Sequence, residues 1–169
     1  MRKKILSYIL LIVIGILLFA FQISVLNKIP IINTHINCLL VYALCFTSLT
    51  SSPSQKLTAC LFSGLLMDIW SSSFSFYTIG LLMFYSIINY VSLNIHLDKI
   101  LITIIMVFVG TLAIELVNAS FIGFYSSYGN SFYAYKDFIL HESLVNVIFL
   151  MVIFPVIKLI FVKKREEII

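Results

Sequence analysis

Four ionisable side chains lie within stretches otherwise suited to hydrocarbon: Asp68, Glu115, His141 and Glu142. At membrane depth each costs about 2.5–3.5 kcal/mol to insert, so each demands a partner or a task. Their spacing fits no common catalytic pattern. His141-Glu142-Ser143-Leu144-Val145 begins like the zinc motif HExxH, but Val145 stands where the second histidine belongs. No GxSxG nucleophile turn and no Gly-rich phosphate loop occur. Work on a lipid pyrophosphate calls for cations, and the apolar stretches hold none at depth. Cys38, Cys45 and Cys60 are odd in number and form no CxxC pair, and His35 is the single metal ligand near them. They read as small buried hydrophobes. No cofactor, no metal and no enzymatic activity are expected.

The elements that must position these groups follow from composition. The 169 residues are 62% hydrophobic and 11% charged, against roughly 45–50% and 25% in soluble domains. Eighteen charged residues cannot cover the surface of a soluble fold this size. A soluble enzyme, a nucleic-acid module and a secreted disulfide scaffold are therefore excluded. Apolar runs predict an all-α, polytopic membrane protein. It would be a single domain over 1–169, a bundle of six transmembrane helices at about 5–26, 36–51, 57–76, 78–95, 100–122 and 138–162. The first run exceeds the roughly 7–15 residues of a signal-peptide core and no small-residue cleavage site follows, so it is expected to remain as a span. The longest connection, 123–137, is too short for a soluble domain. No repeat suggests an inverted-repeat transporter.

Six spans put both ends on one side. If that side is the cytoplasm, it receives nine basic residues: Arg2, Lys3, Lys4, Lys56, Lys99, Lys158, Lys163, Lys164 and Arg165. The other side keeps Lys28 and Lys136. Basic residues favour the cytoplasmic face, so both termini are expected there. Aromatic residues gather on the opposite side, at Phe74, Phe76 and Tyr77 and between Phe121 and Phe138. They read as an interfacial belt, or alternatively as a docking surface.

Asp68 falls roughly 16 Å into the third span and Glu115 roughly 22 Å into the fifth, at about 1.5 Å per residue. Both spans run outward, so both acids are expected in the outer half of the bilayer, with His141 and Glu142 at its edge. Asn118 shares a helix face with Glu115, and Asn146 with Glu142. If spans three, five and six are neighbours, these groups form a polar cluster open to the outside. It would serve interhelical hydrogen bonding or a ligand or partner site, and both readings stay open.

The segment Gly64-Leu65-Leu66-Met67-Asp68-Ile69-Trp70-Ser71 resembles the third-span motif of the MreD family, bacterial rod-shape-determining membrane proteins. There a Gly-Leu-x-x-Asp-hydrophobic-x-Ser stretch is typical. Gln22 closes the first run, Asn37 opens the second and Glu115 stands in the fifth, as residues of those types often do in that family. The chain departs from the family at Ile36, usually proline, and after Ser71, where no glycine appears until Gly80. The resemblance covers essentially the whole chain. It implies a non-enzymatic subunit of the cell-elongation complex in the bacterial cytoplasmic membrane. Its partners would be a single-span MreC-like protein, MreB, and RodA-type and penicillin-binding peptidoglycan synthases. Similar size and helix plan also suit a second class, the vitamin-binding membrane subunit of a transporter.

Overall fold

The computed structural model describes residues 2–26, 36–71, 76–94, 98–125 and 131–161. Among these residues it is all helix: α1 (Arg2–Ser24), α2 (Cys38–Leu49), α3 (Pro53–Ser71), α4 (Phe76–Asn94), α5 (Lys99–Tyr125) and α6 (Ser131–Phe161). The expected all-α class and six helices are present. Lys28, His35, Phe74 and the basic cluster at 163–165 lie outside the described residues. So do the side chains of the first four residues and of 121–137.

Local chemistry sets the boundaries. The Asn37 side chain accepts from the Leu40 backbone N–H at 3.1 Å and caps α2. The helix ends at Thr50, whose backbone is extended. Pro53 then opens α3, where its missing N–H and fixed φ suit the first helical turn.

Helix α2 is apolar on every side and sits at the centre, in contact with the other five helices. From Cys38 through Thr47 every residue is fully buried. A helix that is apolar all round belongs in a core. Around it α1 packs on α3, α3 on α4, α4 on α5 and α5 on α6. The outward faces of α1 and α6 expose large aliphatic side chains such as Ile9, Leu17, Ile148 and Val152. Exposed apolar surface on that scale is what lipid contact requires.

Among the described residues three helices are long and apolar enough to cross a membrane: Ile5–Ser24, Lys99–Ser120 and Phe138–Phe161. The chain is a membrane protein on that ground. The apolar parts of α2 and α4, Cys38–Leu49 and Phe76–Val91, are shorter. Twelve residues cover roughly 18 Å against a hydrocarbon core of about 30 Å. Helix α3 is long enough but carries Gln55, Lys56, Asp68 and several hydroxyls. Two expected boundaries move. The described part of the third helix is Pro53–Ser71, and Phe76, expected at the end of the third span, belongs to α4. Within the expected connection 123–137, α5 continues to Tyr125 and α6 starts at Ser131.

Candidate functional site

The amino ends of α2 and α4 meet the carboxyl ends of α1 and α3 at one end of the bundle, where the singled-out polar residues collect. They form two groups, each built on helix termini.

The first group closes the α3–α4 corner. Both carboxyl oxygens of Asp68 accept from the first turn of α4. The Tyr77 backbone N–H donates at 2.9 Å, the Thr78 N–H at 3.0 Å and the Thr78 hydroxyl at 2.5 Å. Asp68 thus caps a helix other than its own, filling amide positions that the first turn leaves without intrahelical partners. Gly64, one turn earlier on the same face, makes the approach possible. A Cβ there would lie 2.5 Å from the Thr78 Cα and 3.0 Å from its backbone nitrogen. The Ser71 hydroxyl donates back to the Met67 carbonyl at 2.8 Å. Glycine and aspartate of the motif are therefore parts of one joint, while the serine bonds within α3.

The second group surrounds the amino end of α2. Besides its own Asn37 cap, the Asn146 side-chain oxygen on α6 accepts from the Asn37 N–H at 2.9 Å. The Gln22 oxygen on α1 accepts from the Leu39 N–H at a longer 3.4 Å, and its amide nitrogen points at the Met67 sulfur, 3.6 Å away. Asn146 also donates to the Thr111 hydroxyl on α5 at 3.3 Å, and that hydroxyl donates to the Val107 carbonyl. Gln22, Asn37, Thr111 and Asn146 are all buried. In hydrocarbon, unsatisfied amide groups cost several kcal/mol each, so side chains of four helices converge on one terminus.

Tyr77 links the first group to the acids. Its backbone N–H serves Asp68, while its hydroxyl donates to Glu115 on α5 at 2.6 Å. Asn118, one turn beyond Glu115, is within side-chain hydrogen-bonding contact of both Tyr77 and Glu115. Glu142 on α6 is buried and is an electrostatic neighbour of Glu115 and Tyr77. Spans three, five and six were expected to be neighbours; α5 packs on α6, but α3 packs on neither, α4 stands between α3 and α5, and Asp68 is joined to Glu115 only through Tyr77. The His141 side chain is exposed, whereas its neighbours Glu142 and Ser143 are buried.

Three participants were not evident from sequence. Tyr77 reads as one more interfacial aromatic, yet it lies nine residues after Asp68 at the start of the next helix. Thr78 and Thr111 look like ordinary hydroxyl residues of apolar helices. At the opposite end of the bundle, Lys56 is buried and donates to the Asn89 side-chain oxygen at 2.7 Å. Close by in sequence, Gln55 donates to Ser7 at 2.9 Å. Among the described residues no three His, Cys, Asp or Glu side chains are grouped to hold a metal. No protein-family model, curated protein or solved structure matches the chain.

Proposed function

We propose that the chain is a non-enzymatic scaffold of the MreD type, a six-span subunit of the bacterial cell-elongation complex. The observation that carries this reading is the role of the residues behind the resemblance. Gly64 and Asp68 build the α3–α4 joint, and Gln22 and Asn37 help close the amino end of α2. They tie helices to one another, which supports a scaffold role. Among the described residues with fully enclosed side-chain polar atoms, Ser63 alone lacks a hydrogen-bond partner. Such internal satisfaction suits a rigid body that presents an outer surface to partners. Helices α2, α3 and α4 would complete the six spans, enclosed by the bundle or embedded at a thinned margin. The nine-to-two division of basic residues supports both termini in the cytoplasm, with the Asp68 end outward.

The partners in this reading are an MreC-like single-span protein, with MreB and the RodA-type and penicillin-binding synthases further along the complex. Capture of the tagged full chain from native membranes tests it. Co-purification of an MreC-like protein is the expected result. Co-purification of ATPase subunits without an MreC-like protein would replace this reading by the second, a small-molecule-binding transporter subunit. One observation favours that alternative: Glu142 lies buried at the outer end without a hydrogen bond to any described residue.

A further inference from the structure

Helix α2 is not evenly enclosed. Equal rods at the usual interaxial spacing of about 8–10 Å fit about six around a central one. Among the described residues α2 touches the other five helices, which follow one another around it as α1, α3, α4, α5 and α6. Successive members of that series pack together, but α6 and α1, which would close the ring, nowhere bring their backbones together. Side chains roof α2 at that place, such as Phe161 edge-on to Phe46 at 4.8 Å, so it is a furrow and not a hole. On α1 the flank toward α3 carries Gly15, against Phe62, and Phe19, against Trp70. Ile14 and Phe21 lie on the other flank, at the furrow. On α6 the flank away from α5 carries Val147, Met151 and Phe154.

Two polar features mark the α6 wall. Pro155 stands inside α6 and has no N–H, so the Met151 carbonyl lacks its intrahelical donor. Both residues are exposed, and Met151 lies roughly halfway along the span Phe138–Phe161. Proline is tolerated in a spanning helix where a neighbour supplies the missing donor. The hydroxyls of Ser143 and Thr111 are spent on carbonyls of their own helices. Lys158, one turn past Phe154 on the same flank and near the inner end of the span, is exposed and pairs with no acid among the described residues. Lipid chains satisfy the apolar walls of the furrow but offer nothing to the carbonyl.

We propose that the furrow between α1 and α6 seats one membrane-spanning helix of a different protein, apolar along its length, with a hydroxyl side chain near its middle and a carboxylate at its inner end. A helix fits because both walls run the full thickness of the membrane: Ile5–Ser24 and Phe138–Phe161 are each of span length. The hydroxyl answers the Met151 carbonyl, as hydroxyl side chains do between membrane helices. The carboxylate answers Lys158. A second copy of this chain offers no such hydroxyl. The outward residues of α1 are aliphatic, among them Ile9, Val13, Ile16 and Leu17, and the exposed Ser86 hydroxyl of α4 donates to the Leu82 carbonyl of its own helix. The inference names a seat and the chemistry of what fills it. It therefore stands or falls separately from the capture of an MreC-like protein.

The test reconstitutes the full chain in liposomes with a synthetic helix of about 20 alternating leucines and alanines, carrying serine at its centre, lysines at one end and glutamates at the other. Energy transfer from a donor at the chain's carboxyl terminus to an acceptor on the peptide is followed as lipid is added. Saturable transfer that resists lipid dilution and is reversed by unlabelled peptide is expected. A peptide with leucine in place of the serine should bind roughly threefold to tenfold more weakly, the worth of one hydrogen bond between membrane helices. Pro155→Leu restores the N–H and should remove that difference. Lys158→Glu should weaken binding of both peptides. Val147→Trp fills the furrow and should abolish binding, whereas Met83→Trp, on the exposed face of α4, should leave it unchanged. Size-exclusion profiles show whether each variant folds, and the comparison of peptides on the unaltered chain stands even if one does not. Transfer no greater than random mixing, equal binding of the two peptides, or full binding by a folded Val147→Trp would overturn the proposal. So would transfer between differently labelled copies of the chain that Val147→Trp removes, since a second copy would then occupy the furrow.

Discussion

Gly64→Ala is a one-carbon change whose cost can be worked from the structure. The added Cβ would sit 2.5 Å from the Thr78 Cα, 2.9 Å from its hydroxyl oxygen and 3.0 Å from its nitrogen. Two of these atoms are backbone, so no rotamer change can relieve the contact. Ordinary separation requires α4 to move away by about 1 Å or more. That movement stretches both amide bonds to Asp68, which start at 2.9 and 3.0 Å. Overpacking costs about 1–3 kcal/mol, and weakening a buried amide contact adds about 1–3 kcal/mol. Alanine's better helix propensity returns about 1 kcal/mol. The net loss is about 1–5 kcal/mol, or a fall in Tm of roughly 2–20 °C for a chain of this size. Gly110→Ala is the internal control. Its Cβ would meet the tip of the Leu44 side chain at 3.0 Å, which can yield. That variant should melt within about 2 °C of the unaltered chain or above it. Thermal unfolding in one detergent, followed by tryptophan fluorescence from Trp70 and by aggregation, measures both. Equal melting of Gly64→Ala and Gly110→Ala would refute the close approach of α4 to Gly64.

Asp68→Asn should fall between the unaltered chain and Asp68→Leu in stability, because an amide keeps one acceptor oxygen but turns an NH2 group toward a donor; a silent Asp68→Asn would contradict the double cap. Asn146→Leu should destabilise by about 1–3 kcal/mol, read as a lower Tm, since it strips acceptors from the amino end of α2 while adding apolar volume. Tyr77→Phe should cost only about 0.5–1.5 kcal/mol, because the backbone bond to Asp68 survives loss of the hydroxyl; a Tm loss as large as that of Asp68→Leu would show the hydroxyl to be the principal tie. Cys38, Cys45 and Cys60 are all buried, so a membrane-permeant maleimide should label the chain only after denaturation; rapid labelling of the native protein would contradict the central placement of α2.

Much of the polar framework was legible in the sequence because polar residues are expensive in apolar runs. Asp68, Glu115 and Glu142 stood out on that ground, Gln22 and Asn37 through the family resemblance, and all contribute to the two groups or flank them. What each one bonds was not legible. Asp68 was expected to bond to a neighbouring helix and does so, but two of its three partners are backbone amides of α4, which carry no signal in residue type. Tyr77 was hidden for a related reason, since it acts through its main chain and its hydroxyl at once. His141 was paired with Glu142 by adjacency, but consecutive helical residues point about 100° apart. The first residues of α6, Ser-Phe-Tyr-Ala-Tyr-Lys-Asp, read as a loop because they mix polar and aromatic types. They nonetheless belong to α6, which begins at Ser131.

The partner that closes the amino end of α2 is made last. The Asn37 amide and the Asn146 oxygen that receives it are 109 residues apart in the chain. At roughly 5–20 residues per second, synthesis separates them by about 5–20 s. During that interval α2 is present while its shell is incomplete, and Asn37 must find another acceptor such as water at the interface or an insertion chaperone. A chain stopped after α5 would carry the same open end permanently. The nascent protein therefore offers quality-control machinery a hydrophilic flag that disappears only when the sixth helix docks, and truncated products should be degraded faster than their hydrophobicity alone would suggest.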